Sequence, residues 1–308
     1  MTRRLLPAIA AGTALEAIWV SLYWISPLRE NSEWFVASML AAFAVCVASF
    51  LLIPIPDRRS VWVILAFGFA FRMTALSAHP DQSEDVYRYL WDARVAVRGL
   101  DPYAYPPNAP ETESLRDTPI YDPLNSKSYV TAYPPLSQLI FRTVYSLFGE
   151  RITPMKAVFS LFEFASLVLA WRLLSALNLR LEPLFLMAWN PLFVFEFSHS
   201  GHSDSAALFL VLLCAWLVHR GRAAWAGAAF SGAVLAKLHP ALWLPILLRT
   251  AGWRAFAGVL VSGSILTGCY FNASTLVAYI RSLKAYVQVF EFNASAYYLI
   301  RRVAAHVA

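Results

Sequence analysis

The stretch PDQSEDVYRYLWD, residues 80–92, follows directly on an apolar run and places Asp81, Glu84, Asp85 and Asp92 within thirteen residues. The chain around it is built differently: 59% of its 308 residues are apolar and only 14% are charged, against about 25% charged in ordinary soluble domains. Apolar windows near the length that crosses a ~30 Å hydrocarbon core recur at about 5–27, 34–54, 60–78, 132–149, 155–177, 183–198, 204–218, 223–250 and 254–271, and another begins near 293. The window 223–250 reads as two short helices broken at His239-Pro240. No strand-like alternation is visible and open sheet edges do not survive in lipid, so the spans are read as helices. The expected fold class is all-α: a polytopic transmembrane helical bundle, residues 1–308 forming a single integral membrane domain, with an external loop at 79–131 that carries surface-lying helices. The first window lacks a small-residue cleavage site and is read as retained.

Cys46, Cys214 and Cys269 fall far apart inside predicted spans, without the paired spacing of a disulfide framework or zinc site. The net charge of +6 is spread over short loops, not gathered into one basic patch, which argues against a nucleic-acid partner. Those loops carry topology instead. Arg3-Arg4, Arg58-Arg59, Arg151 with Lys156, Arg220 with Arg222, and Arg249 with Arg254 form clusters that the positive-inside rule assigns to the cytoplasm. The segment 79–131 has nine acids against five bases and is assigned to the opposite, external side. Counting spans onward from 132 puts His202 and Asp204 inside, whereas the cluster at 220–222 requires them outside. A broken or re-entrant helix at Asn190-Pro191, where proline removes a backbone donor, would repair the count.

Inside the loop the pattern predicts a helix over 81–98, beginning after Pro80 and stopping at Gly99, with Pro102 just beyond. At 100° per residue Asp81, Glu84, Asp85, Arg88 and Asp92 share one arc, while Val86, Leu90, Ala93 and Val97 occupy the other side. The helix is therefore expected at the membrane surface with its ionised side toward a cavity. The plain alternatives are a capping box for Asp81 with Glu84, and i,i+4 ion pairs among Glu84, Arg88 and Asp92. Trp91, Tyr87, Tyr89, Tyr103, Tyr105 and Tyr133 accompany the acids, and aromatics beside carboxylates at a lipid boundary suit a sugar site. Arg72 sits within a span and requires an acidic partner, which the loop can supply. Glu163 and Glu196, also within spans, are read as structural partners for Arg172 or Arg142.

The runs at 84–92 and 99–107, with Tyr133-Pro134-Pro135, resemble the first external loop of bacterial polyprenyl-phosphate-sugar-dependent glycosyltransferases of the GT-C superfamily. Within it the chain is most similar to the mannosyltransferases around glycosyltransferase family 87. Trp189-Asn190-Pro191, Gly201-His202-Ser203-Asp204 and Ala236-Lys237-Leu238-His239-Pro240 resemble that group's later landmarks, so the likeness covers about residues 60–300. Two departures stand out: Glu84-Asp85 where the group usually has two aspartates, and Trp91-Asp92-Ala93 where it has Trp-Asp-Gly. The chain also stops at Ala308, where members of the group usually continue, which suggests a shortened member or a truncated sequence.

The resemblance implies transfer of a hexose, most plausibly mannose, from a polyprenyl-phosphate donor to a hydroxyl of a glycan or lipid acceptor on the external face of a bacterial inner membrane. Asp85 is expected to be the general base, with Glu84 beside it, because an acceptor hydroxyl is a poor nucleophile near neutral pH. Attack opposite the phosphate would invert the anomeric centre. Arg88, or Lys237 with His239, would receive the charge that develops on the leaving phosphate. Asp92, Trp91, Tyr103, Tyr133, His202 and Asp204 complete the expected substrate-binding set. No cofactor is certain; a divalent metal held by Glu84, Asp85 and Asp92, or by the His202-x-Asp204 pair, is a hypothesis. Segment 273–292, with Arg281, Lys284, Tyr279, Tyr286 and Phe290, is expected to help cover the donor. Asn272 and Asn293 match a glycosylation pattern that is common by chance. The rival reading is a transporter or flippase of an amphiphile; it is disfavoured because the acids crowd one loop instead of the midplane.

Overall fold

The computed structural model describes residues 5–55, 57–289 and 295–307; Arg3-Arg4, Phe290 and the Asn293 glycosylation match lie outside them. Every regular element among the described residues is helical. The order is α1 (Leu6–Ser21), α2 (Ser32–Leu52), α3 (Arg58–Ser77), α4 (Asp85–Val97), α5 (Thr118–Tyr121), α6 (Pro135–Phe148), α7 (Ile152–Ala176), α8 (Pro183–Ala188), α9 (Pro191–Val194), α10 (Asp204–His219), α11 (Ala223–Ala236), α12 (Leu244–Gly268), α13 (Ala273–Val289) and α14 (Ser295–Val307). Segments Ser32–Leu52, Arg58–Ser77, Ile152–Ala176 and His239–Gly268 are long and apolar enough to cross a membrane, and α1, α10 and α11 are shorter apolar helices. This is a helical membrane bundle.

The bundle turns on a buried cation. Arg72, in the second half of α3, is 1% exposed and pairs with Glu163 of α7 through two nitrogens, the Nη2 contact measuring 2.5 Å. Its Nη1 also donates to the carbonyls of Gly68 (2.6 Å) and Ala188 (2.9 Å), and Nη2 to that of Met187 (3.4 Å). Met187 and Ala188 are the carbonyls stranded by the break at Asn190-Pro191. Proline has no N–H to return to Met187, and the Leu192 N–H is taken by the Asn190 side chain at 2.9 Å. The acidic partner expected from the loop is therefore Glu163, positioned directly opposite by antiparallel packing of α7 on α3.

The expected crossing at 132–149 is not made. Helix α6 starts beside Ala236, whose carbonyl accepts from Ser137 Oγ at 2.8 Å. Just past its end Glu150 pairs with Arg94 of α4 at 2.9 Å. Both of its ends belong to the layer that carries α4, and its amphipathic sequence lies along that layer. Arg151 and Lys156 consequently stand at the same end as the acidic loop, not the opposite one: Lys156 Nζ donates to the carbonyls of Leu76 (3.0 Å) and Ala78 (2.5 Å) at the end of α3. Removing this crossing puts residues 79–134 and 200–204 at one end of the bundle. The segment α8–α9 then needs no re-entrant turn; it is a broken span that continues into a single π-helical turn, Phe195–His199.

The remaining helices close the wall. Gly252, at φ 66° and ψ −162°, divides α12 into two arms of a hairpin. The second arm packs so closely on α11 that a Cβ at Gly227 would lie 1.9 Å from the Ala255 carbonyl oxygen, and one at Gly258 2.0 Å from that of Ala224. The break expected at His239-Pro240 is present as a 3-10 turn, His239–Trp243, between α11 and this hairpin.

Two outcomes test this architecture. Glu163→Ala should lower stability in detergent by about 3–5 kcal/mol, because it leaves Arg72 buried without its counter-charge; a loss below about 1 kcal/mol would contradict the clamp. In a Cys269→Ser background, cysteines placed at the exposed positions Asn108 and Arg151 should react with a membrane-impermeant thiol reagent from the same side. Labelling from opposite sides would restore the crossing at α6.

Candidate active site

Helix α4 forms the floor of the site. It begins at Asp85, four residues later than the sequence pattern predicts, because Asp81 is committed elsewhere. Its carboxylate accepts from the backbone N–H of Leu28 at 2.6 Å and from Ser26 Oγ at 3.4 Å, so the capping box with Glu84 is not made. Ser83 takes over near the start, its Oγ accepting from the Asp85 N–H at 3.3 Å. At the other end Gly99 (φ 80°) stops the helix as expected, with Leu100 N–H bonded to the Val95 carbonyl and Gly99 N–H to that of Ala96. Val86 to Val95 are buried on all sides, so α4 does not present an ionised face to a cavity.

That burial sorts the expected site residues. Arg88 donates to Asp92 (2.9 Å) and to the carbonyls of Tyr129 (3.0 Å) and Ser126 (3.4 Å), tying the return limb of the loop to α4. Asp92 also accepts from Gln138 of α6 at 2.8 Å. Both side chains of the pair are buried, and Arg88 is spent on Asp92 and the two loop carbonyls. Trp91 packs against Tyr121 with ring centres 5.3 Å apart. Tyr103, fully buried, donates to the Tyr133 carbonyl at 2.7 Å and packs its ring on Phe271 and Tyr279. Both side chains are buried in the packing of the loop. Glu84 turns outward to an ion pair with Arg29 of the α1–α2 connection.

Asp85, at the start of α4, stays at the opening, its side chain 35% exposed. Asn125 Nδ2 donates to it at 3.4 Å, and His202 Nε2 lies 3.8 Å from its second oxygen. His202 arrives on the short link between the π-helical turn and α10. Its Nδ1 meets Glu196 at 2.5 Å and its Nε2 meets Ser83 Oγ at 2.9 Å. The Glu196 carbonyl also accepts the His202 backbone N–H at 2.9 Å, so the turn grips this histidine twice. Burial alone would push the imidazole down, but the bond to Glu196 and the charges of Asp85, Glu196 and Asp204 together hold its pKa above the ordinary value. Glu196 thus serves His202 and not Arg172 or Arg142.

On the far rim Lys237, just after α11, pairs with Asp204 at the start of α10 at 3.0 Å, both side chains more than a third exposed. The Lys237 ammonium lies 5.9 Å over the ring of Tyr133, which stands edge-on to Tyr89. His239, two residues further on, is exposed. Tyr286 of α13 lies close enough to Lys237, Asp85 and Asp204 to feel their charges, and α13 is anchored by Ser282 Oγ donating to the Val130 carbonyl at 2.9 Å. Helix α13 thus packs beside Lys237, Asp85 and Asp204 at this end of the loop. Asn272 accepts from Thr275 N–H at 2.9 Å and so caps α13.

A shared metal does not fit these donors. Glu84, Asp85 and Asp92 face three different sets of partners, His202 has both ring nitrogens engaged, and Asp204 is held by Lys237. No group of three or more metal-ligating side chains converges among the described residues.

The described residues form a helical membrane bundle that brings the carboxylates of Asp85, Glu196 and Asp204, the His202 imidazole and the Lys237 ammonium together at one end. The chain matches the N-terminal domain of the alpha-(1->6)-mannopyranosyltransferases over residues 6–252 and belongs to that family. It is therefore a glycosyltransferase that takes mannose from a sugar donor to a glycan acceptor, and the transporter reading falls away. No curated protein and no solved structure matches it.

The sorting of the acids is testable by stability alone. Asp92→Ala should cost about 3–5 kcal/mol, since Arg88 is left buried and unpaired, whereas Asp85→Asn should change stability by less than about 1 kcal/mol. Equal losses from the two substitutions would show that Asp92 and Asp85 do not differ as described.

Proposed function

We propose that the protein transfers mannose from a polyprenyl-phosphate donor to an acceptor hydroxyl at the external face of the membrane, with Asp85 as general base and inversion at the anomeric carbon. The observation that carries this reading is the sorting of the carboxylates at the mouth. Glu84, Asp92 and Asp204 each pair with an Arg or Lys and Glu196 is bound to His202, while Asp85 has no Arg or Lys partner among the described residues and its side chain is 35% exposed. A free carboxylate beside a bound hydroxyl can accept its proton as the glycosidic bond forms, an effect of typically 10²- to 10⁴-fold.

The leaving group needs cations, because negative charge grows on phosphate as its bond to the sugar breaks. Lys237 and His239 supply them on the opposite rim, with Asp204 holding the ammonium in readiness. Tyr133 and Tyr286 offer rings against which a pyranose can lie. A lipid-linked donor suits a site formed at the end of a membrane bundle, where a prenyl chain remains in the hydrocarbon while its head group enters the mouth. External placement is supported by the charges at the other end: Arg58, Arg59, Arg180, Arg220, Arg222, Arg249 and Arg254 all lie on connections or helix ends opposite the site, as the positive-inside rule requires of a cytoplasmic face.

Asp85→Asn should reduce transfer from synthetic polyprenyl-phosphate mannose at least about 100-fold with little change in donor KM. Transfer at the parental rate would remove Asp85 from the reaction. Transfer from a nucleotide sugar in place of the lipid donor would contradict the donor assignment.

A further inference from the structure

Glu196 has no place in the reaction as described, yet it makes one of the most constrained contacts at the mouth. It is delivered by the π-helical turn that follows the broken span, and its side chain is 34% exposed. The carboxylate occupies Nδ1 of His202, which leaves Nε2 directed to Ser83 Oγ and the near oxygen of Asp85. A carboxylate on one ring nitrogen fixes the tautomer with a proton on that nitrogen and leaves the other free to accept. We propose that Glu196 is a positioning residue: through Nδ1 it holds the His202 imidazole so that Nε2 takes the proton from Asp85 between turnovers. This inference rests on Asp85 being the base.

The proton count closes without a further reactant. As the acceptor oxygen bonds to the anomeric carbon, its proton passes to Asp85, and the electron pair of the broken bond leaves with the lipid phosphate. The proton on Asp85 then moves to Nε2, giving an imidazolium flanked by Glu196, and passes from there to water at the exposed edge of the ring. Asp85 is restored as a carboxylate. The charged groups facing His202 are Glu196 from the π-helical turn, Asp85 from α4 and Asp204 from α10, the last already paired with Lys237; Ser83 is its neutral neighbour. All three carboxylates favour the imidazolium, so His202 can hold the proton in transit. It must be neutral when each cycle begins.

The sign of the pH effect follows. Activity falls as the medium is acidified through the His202 pKa, because a protonated ring cannot relieve Asp85. Glu196→Gln keeps a hydrogen-bond acceptor at Nδ1 and removes the charge that raises that pKa, so the acid limb of kcat should move down by about one pH unit, with donor KM nearly unchanged. Glu196→Ala also frees the tautomer and should lower kcat across the whole range. Nitrogen NMR of histidine-labelled protein, assigned with His202→Gln, reads the ring state without turnover: Nδ1 should carry the proton in the parent chain and lose that preference in Glu196→Ala. An unchanged acid limb in Glu196→Gln, or an unchanged His202 tautomer in Glu196→Ala, overturns the proposal. If Asp85→Asn is inactive while the Glu196 variants behave as the parent, only the role of Glu196 falls. If Asp85→Asn retains full transfer, the assignment of the base fails first.

Discussion

The architecture depends on one guanidinium. Arg72 is nearly inaccessible at membrane depth and has two tasks: it neutralises Glu163 and it supplies donors to the Met187 and Ala188 carbonyls that Asn190-Pro191 leaves bare. A helix break inside a bilayer is tolerated only where protein meets the freed backbone groups. Because this break is met, the segment can change direction and finish as a π-helical turn. That turn sends His199 toward Asp81 at 3.8 Å and Glu196 onto His202, whose other ring nitrogen faces Ser83 and Asp85. The clamp thus lies well below the chemistry and still sets the angle at which half of the mouth is presented.

The other half of the mouth is set by an unusual allocation of polar groups. Most charges in the acidic loop work on the loop itself. Arg88 with Asp92, Arg94 with Asp117 and Glu150, and Arg116 with the carbonyls of Pro107 and Ala109 turn a long connection into a packed layer on which α6 and α13 rest. Against this background Asp85, without an Arg or Lys partner among the described residues and beside His202, stands apart from its α4 neighbours Glu84 and Asp92. Rigid surroundings and one available base suit a displacement in which the acceptor must be held in line with a departing phosphate.

Much of the fold was legible in the chain. The apolar windows located most of the helices, Gly99 marked the end of α4, and the break at His239-Pro240 and the interruption at Asn190-Pro191 were visible from proline alone. The crossing assigned to 132–149 was misleading because an amphipathic helix wedged between a loop and a bundle buries about as much apolar surface as a short span. Only the tethering of Glu150 to Arg94 and of Ser137 to Ala236 distinguishes the two, and both are contacts across long sequence separations. Periodicity placed Asp85, Arg88 and Asp92 on one arc correctly, but it could not say that packing would enclose the latter two. In the chain alone Glu196 reads as a structural partner, as an acid within an apolar run does; its six-residue spacing from His202 across Gly201 gains meaning only when the turn between them is known.

An experimental structure in a lipid nanodisc with a non-hydrolysable polyprenyl-phosphate mannose analogue tests the central claim most directly. The account predicts the anomeric carbon facing Asp85, the phosphate on the Lys237 rim, and Arg72 still bonded to Glu163 and the Ala188 carbonyl beneath an α6 that lies along the membrane. A head group bound at the opposite end of the bundle, or an α6 that crosses the bilayer, would contradict it.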